Sequence, residues 1–146
     1  MSIFSGIVTD DGPLLDVILM VTVPRQNALR RNNMDVPMPV AARLLIDTGA
    51  SHSSIDQRFV ALLDLRPVGK VQIHTPSTGQ TPAVADEFDI AIRLASTGSH
   101  AHEIPITPVF SCDHSEQGID GLFGRDVLGG AILIYDGHRK SYTLSF

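Results

Sequence analysis

Leu44-Leu45-Ile46 runs straight into Asp47-Thr48-Gly49. An apolar strand that ends on a carboxylate and a tight turn has two readings. Asp47 is either a turn residue that caps a strand or the working acid of an enzyme, because a positioned carboxylate can take and give protons. Asp and Gly are common in turns, so the isolated tripeptide carries little weight. The context adds weight. Small residues, Ala50 and Ser51, follow it. Thr48 offers a hydroxyl beside the carboxylate, and Gly49 leaves room for close backbone approach.

Other residue groupings carry less chemistry. His100, His102 and Glu103 lie together, with Cys112 and His114 a little further on. A zinc site needs three or four convergent ligands, and these spacings match no zinc signature. We read them as a polar turn and assign no metal and no cofactor. Cys112 with a histidine two residues away reads as a buried or idle cysteine rather than a nucleophile. No Gly-rich phosphate loop and no G-x-S-x-G elbow occurs.

The elements that must position Asp47 are short. Ile3 to Val8 and Leu14 to Val23 read as strands joined by the turn "TDDGP". Pro24 to Pro39 is polar, with prolines at 24, 37 and 39, and reads as a long exposed loop. Val40 to Ile46 is the strand that delivers Asp47. In "SSIDQRFVALLDLRP", Ser54 and Gln57 fit a capping box, Asp56 suits the helix dipole, and Ile55, Phe59 and Leu62 make one apolar face. A helix over this stretch is expected, stopped by Pro67. Val71 and Ile73 alternate with polar residues, as do Phe88, Ile90, Ile92 and Leu94, which predicts a long hairpin with a polar tip. "STGSHAH" reads as a turn, and Ile104 to Phe110 as an irregular or edge strand because prolines interrupt it. Leu122-Phe123-Gly124 leads into "RDVL", enough for one helical turn before Gly129-Gly130. Ile132–Tyr135 and Tyr142–Phe146 form a closing hairpin. A strand–turn–helix layout thus occurs twice, around Asp47 and around Gly124, a hint of internal pseudo-symmetry.

Bulk properties narrow the function classes. The 146 residues suit one domain, and that length buries a core without disulfides or metal. With 12 glycines, 9 prolines and few aromatics, strands and turns are favoured over long helices. A net charge of −5 argues against a broad basic face for nucleic acid. Arg25, Arg30 and Arg31 cluster without interleaved aromatics, so they read as a solvated loop. The longest apolar run, "LLDVILMVTV", is too short to span a bilayer and carries Asp16, so no membrane partner is expected. The start lacks the pattern of a signal peptide, and the single cysteine suits a reducing compartment, so the expected location is cytoplasmic.

Taken together, "LLIDTGAS" resembles the active-site loop of the aspartic peptidases. "GLFGRDVL", about 75 residues downstream, resembles the apolar-apolar-Gly-Arg-Asp segment of their retroviral-type, retropepsin-like branch. The hairpin between them lies where that family places its flap, and "YTLSF" resembles the family's terminal strand. The likeness covers about Val40 to Phe146, and residues 1–39 fit more loosely. The implied fold is all-β and closed-barrel-like, with one short helix after the active-site loop and a helical turn near the C-terminus.

The resemblance implies an aspartic endopeptidase. Such catalysis needs two carboxylates sharing a proton: one activates a water and the other polarises the scissile carbonyl. Asp11-Gly12, Asp120-Gly121 and Asp136-Gly137 lack the intervening Thr or Ser, so the chain supplies one such aspartate. The implied partner is a second copy of the chain, with Asp47 from each at the two-fold axis. By position, Thr48 would hydrogen-bond across the dimer, and Gly49 would accept water and substrate backbone nearby. Ala50 and Ser51 would edge the substrate strand. Pro76, Ser77, Thr78 and Gly79 would form the flap tip over an extended peptide. Gly124 would pass beneath the active-site loop, with Arg125 and Asp126 structural. Viral members commonly carry an acid where Ser51 stands, paired with the residue equivalent to Arg125, so Arg125 must find another partner or the dimer contact differs. A non-catalytic dimerisation or peptide-binding module of the same fold stands as the alternative, and a monomer with a structural Asp47 loop as a third.

Overall fold

The computed structural model describes residues 1–74, 78–95 and 101–146. Among these residues ten strands form: β1 (Ile3–Thr9), β2 (Gly12–Met20), β3 (Val40–Ile46), β4 (Ser54–Asp56), β5 (Gly69–Ile73), β6 (Ala83–Leu94), β7 (His102–Cys112), β8 (Gly121–Phe123), β9 (Ile132–Asp136) and β10 (Ser141–Ser145). Among the described residues three short α-helices accompany them, α1 (Val23–Arg31), α2 (Arg58–Leu62) and α3 (Arg125–Leu128), with one 3-10 turn at Ser115–Gln117. The sheet order is β5-β6-β7-β4-β8-β3-β2-β1-β10-β9, and an extra pairing of β6 with β2 closes β6, β7, β4, β8, β3 and β2 into a six-stranded barrel. The closed-barrel, all-β expectation is what the chain adopts.

Alternation builds the barrel's interior. Leu15, Val17 and Leu19 of β2, Ala42, Leu44 and Ile46 of β3, and Phe88, Ile90, Ile92 and Leu94 of β6 all point inward and are buried. They meet Ile55, Phe59, Leu63, Val109 and Phe123 in one core. The functional consequence lies in β3 and β8. They run parallel, with Leu44 opposite Gly121 and Ile46 opposite Phe123, so Asp47 and Gly124 emerge side by side at one end of the barrel.

Four readings of the sequence are corrected. Residues 24–39 are not all loop: Val23–Arg31 is helical. The signals were a proline in the first turn and Arg30 and Arg31 in the last, but α1 buries no residue and so lacks an apolar stripe. The capping box of Ser54 and Gln57 does not form. Ser54 lies in β4, paired with Phe110 and Leu122, and its hydroxyl meets His114 Nε2 at 2.9 Å. Asp56 does the work at the helix start, with Oδ1 accepting the Arg58 N–H at 3.0 Å. Leu62 is exposed while Leu63 is fully buried, so the expected apolar face is displaced by one residue. The second strand ends at Met20 rather than Val23. The reading of β7 as irregular or at an edge holds: it is long, but its register with β6 shifts between Thr107 and Ile104, around Pro105, and β4 flanks it only at Phe110–Cys112. Pro105 and Pro108 fall where β6 is its sole ladder partner, which suits a residue with no N–H to donate.

The two predicted hairpins are present. β5 pairs with β6 from Gly69↔Glu87 to Ile73↔Ala83, and β9 pairs with β10. Pro76 and Ser77 of the expected flap tip, and His100 with most of the "STGSHAH" turn, lie outside the described residues. No helix among the described residues is long and apolar enough to cross a membrane.

Candidate active site

Asp47 follows the last residue of β3 and is half-buried. Its backbone N–H donates to Phe123 O at 3.0 Å, which extends the β3–β8 pairing by one residue and fixes where the side chain starts. The chain then turns. Ala50 N–H donates to Asp47 O at 3.2 Å, and Gly49 N–H donates to Asp47 Oδ1 at 2.8 Å. Among the described residues that is the one hydrogen bond to the carboxylate. The other oxygen has free lone pairs.

A second loop holds the first from behind. Arg125 N–H donates to Ala50 O at 2.9 Å. Asp126 accepts from Ser53 twice, N–H to Oδ2 at 2.8 Å and Oγ to Oδ1 at 2.7 Å, and Val127 N–H reaches Oδ1 at 3.0 Å. Ser53 Oγ in turn accepts Gly124 N–H at 2.9 Å. The buried Gly124 runs against the Asp47 loop so closely that a Cβ there would lie 2.9 Å from His52 C and 3.0 Å from Ala50 O. Such contacts with backbone leave no room for a side chain. Ser53 is the residue that sequence reading passed over. Its identity as one small residue among "ASHSS" gave no sign that both its polar groups knit the two loops.

Two clefts meet at Asp47, sharing Ile73, Phe110 and Leu122 as floor. The smaller, about 350 Å³, adds Gly49, Ala50, Ser51, His52, Gln72 and His74. The larger, about 720 Å³, reaches Thr78 at the hairpin tip and, on its far wall, Asp113 and Glu116. Of the predicted site residues, Asp47, Gly49, Ala50, Ser51 and Thr78 therefore line the cleft system. Thr48 is exposed beside it, and Gly124, Arg125 and Asp126 lie outside the lining of both clefts. Gly79 sits at φ +62, in the left-handed region that favours glycine, with open space where a Cβ would stand.

Local electrostatics differ along the larger cleft. The Ser115 hydroxyl and then its N–H, at 2.5 and 2.9 Å, hold the Asp113 carboxyl below the usual carboxylate range. Burial pushes the Cys112 thiol up, although its Sγ lies 3.0 Å from His114 Nε2. His114 is buried, with Nδ1 facing Gln117 Oε1 at 3.0 Å and Nε2 facing both Ser54 Oγ and Cys112 Sγ. Cys112 is therefore a poor nucleophile in a satisfied network. Among the described residues Arg125 makes no ion pair, and Ser51 Oγ meets His52 Nδ1 at 2.9 Å instead. Also among them, no three His, Cys, Asp or Glu side chains converge as a metal site.

A sequence profile of the aspartyl protease family matches residues 35–127, which include both loops. No curated protein sequence matches the chain. Among solved structures, the chain is similar to a retropepsin-like aspartic protease from Rickettsia conorii, at 14% identity and a TM-score of 0.57, over 99% of this chain and 91% of that one. At that identity the likeness is one of fold.

Proposed function

The chain belongs to the aspartyl protease family, and on that premise we propose that it is an endopeptidase whose active site forms from two copies, each giving one Asp47. The observation that carries this reading is the state of that carboxylate. It sits where two clefts meet, half-buried, with its loop braced from behind and lone pairs to spare.

One Asp47 carboxylate, ionised, removes a proton from a water. The other, protonated, donates to the carbonyl oxygen of the scissile bond as the tetrahedral centre forms. Two carboxylates in contact cannot both ionise easily, so they hold one proton between them. The proton gained from water then goes to the leaving amine. The substrate lies extended along the cleft system, under the hairpin tip at Thr78 and Gly79. Thr48, exposed beside Asp47, is free to meet its counterpart in the second copy.

The surface supports self-association as well. β1, β10 and β9 continue the sheet beyond the barrel, and β9 ends it. Ile3, Ile132 and Ile134 face outward there and are each about 60% exposed. An apolar face on an unpaired sheet end is suited to cover by a second copy.

The test is cleavage of a mixed peptide library by the parent and by Asp47→Asn. Cleavage by the parent alone is expected. Cleavage that survives the substitution overturns the assignment, and a parent that binds peptides without cutting them makes the domain a binding module.

A further inference from the structure

We propose that the larger cleft selects substrates carrying a lysine or arginine side chain close to the scissile bond. This rests on the peptidase reading and adds a substrate class to it.

The cleft has two chemically distinct parts. Its floor is apolar, made of Leu45, Ile73, Ala83, Phe110, Ile119 and Leu122. Its rim carries Asp11, Asp113 and Glu116, and no Lys or Arg lines it. Among the described residues, six carboxylates elsewhere are matched with cations, Asp16, Asp64, Asp86, Glu103, Asp120 and Asp136, and six others, among them Asp56 and Asp126, are not. The three rim acids make no ion pair among the described residues. Three acids without an ion pair thus stand at the mouth of the apolar cleft that contains Asp47, and no Lys or Arg lining the cleft offsets them.

That pairing fits one kind of side chain. Lys and Arg lay a flexible apolar stem along hydrophobic surface and keep the charged head at the water boundary. A short acidic or wholly apolar side chain would meet one half of the cleft and waste the other. The smaller cleft shares the floor but carries no acid besides Asp47. The selectivity therefore belongs to one side of Asp47 in each copy, and two-fold symmetry would repeat it on both sides of the bond cut. On the rim, Ser115 donates to Asp113 twice and holds its carboxyl below the usual carboxylate range.

The experiment uses the full chain and peptides that differ only in lysine against norleucine, placed in turn at each position within three residues of the cut. The expected result is a kcat/KM for lysine roughly tenfold higher at one or more positions, from several weak charge contacts acting together. The ratio should shrink as salt rises, because the rim is exposed. In the double variant Asp113→Asn, Glu116→Gln the lysine-to-norleucine ratio should fall towards one, whatever its absolute rate. Equal rates in the parent, or a ratio unchanged in the double variant, overturn the proposal. If the parent cuts no peptide, the peptidase reading fails separately, and the same pairs are compared by equilibrium binding. Tighter lysine binding that the double variant loses then supports the selectivity, and equal binding overturns it.

Discussion

The chain ends two parallel strands on similar loops, to which the proposed function gives opposite tasks. β3 leads to Asp47 and β8 leads, through Gly124 and Arg125, to Asp126. Each loop lends the other a backbone bond: Asp47 N–H to Phe123 O and Arg125 N–H to Ala50 O. Their carboxylates differ in how completely they are used. Asp126 takes three donors on its two oxygens, from Ser53 twice and Val127 once. Asp47 takes one among the described residues, from Gly49. A carboxylate saturated with donors is held still. One with open lone pairs can bind water, share a proton and react. Hydrogen-bond count, more than residue type, sets the proposed working acid apart from the bracing one.

The largest expected effect breaks the comparison at Asp47. Asp47→Asn should lower kcat by about 10²–10⁴-fold, while the melting temperature stays close to that of the parent. A large loss of stability would mean that Asp47 is structural too. Asp126→Ala should do the reverse, costing about 2–4 kcal/mol of stability by leaving Ser53 and Val127 donors without their charged acceptor. Chemical denaturation measures this. Ser53→Ala should lose much of the same energy, so the double variant should fall short of the sum of the singles. Strict additivity would show that the two residues are not coupled.

How much of this could be read from the chain itself is now concrete. Asp47 and the Gly124-Arg125-Asp126 segment stand out because an apolar strand running into a fixed tripeptide is a local pattern. β3 and the two hairpins follow from alternation for the same reason. The brace is different. Ser53 and Asp126 are 73 residues apart, and nothing in "ASHSS" marks which serine reaches across. Ser54 was misread because Ser-x-x-Gln is a good local cap, and the strand pairing with β7 and β8 overrode it. α1 was missed because its stability signals are at its ends and no apolar face repeats along it. Local signals survive in sequence, and long-range pairing decides between them.

Smaller effects sharpen the picture. Gly124→Ala should cost about 1–3 kcal/mol, because the added methyl meets the backbone at His52 and Ala50. Activity should fall with it as the Asp47 loop shifts. Arg125→Gln should change the stability of the single chain by less than about 0.5 kcal/mol, since among the described residues only its backbone makes hydrogen bonds. A larger effect that depends on protein concentration would locate the Arg125 side chain at the contact between copies.

The central claim is that catalysis needs an intact Asp47 from each of two copies. Mixing parent and Asp47→Asn chains at fixed total concentration, with time to exchange, tests it most directly. The account predicts that activity falls as the square of the parent fraction, because only pairs with two carboxylates cut. Activity that falls in simple proportion to the parent fraction would mean that each chain works with its own Asp47 alone, and would contradict it.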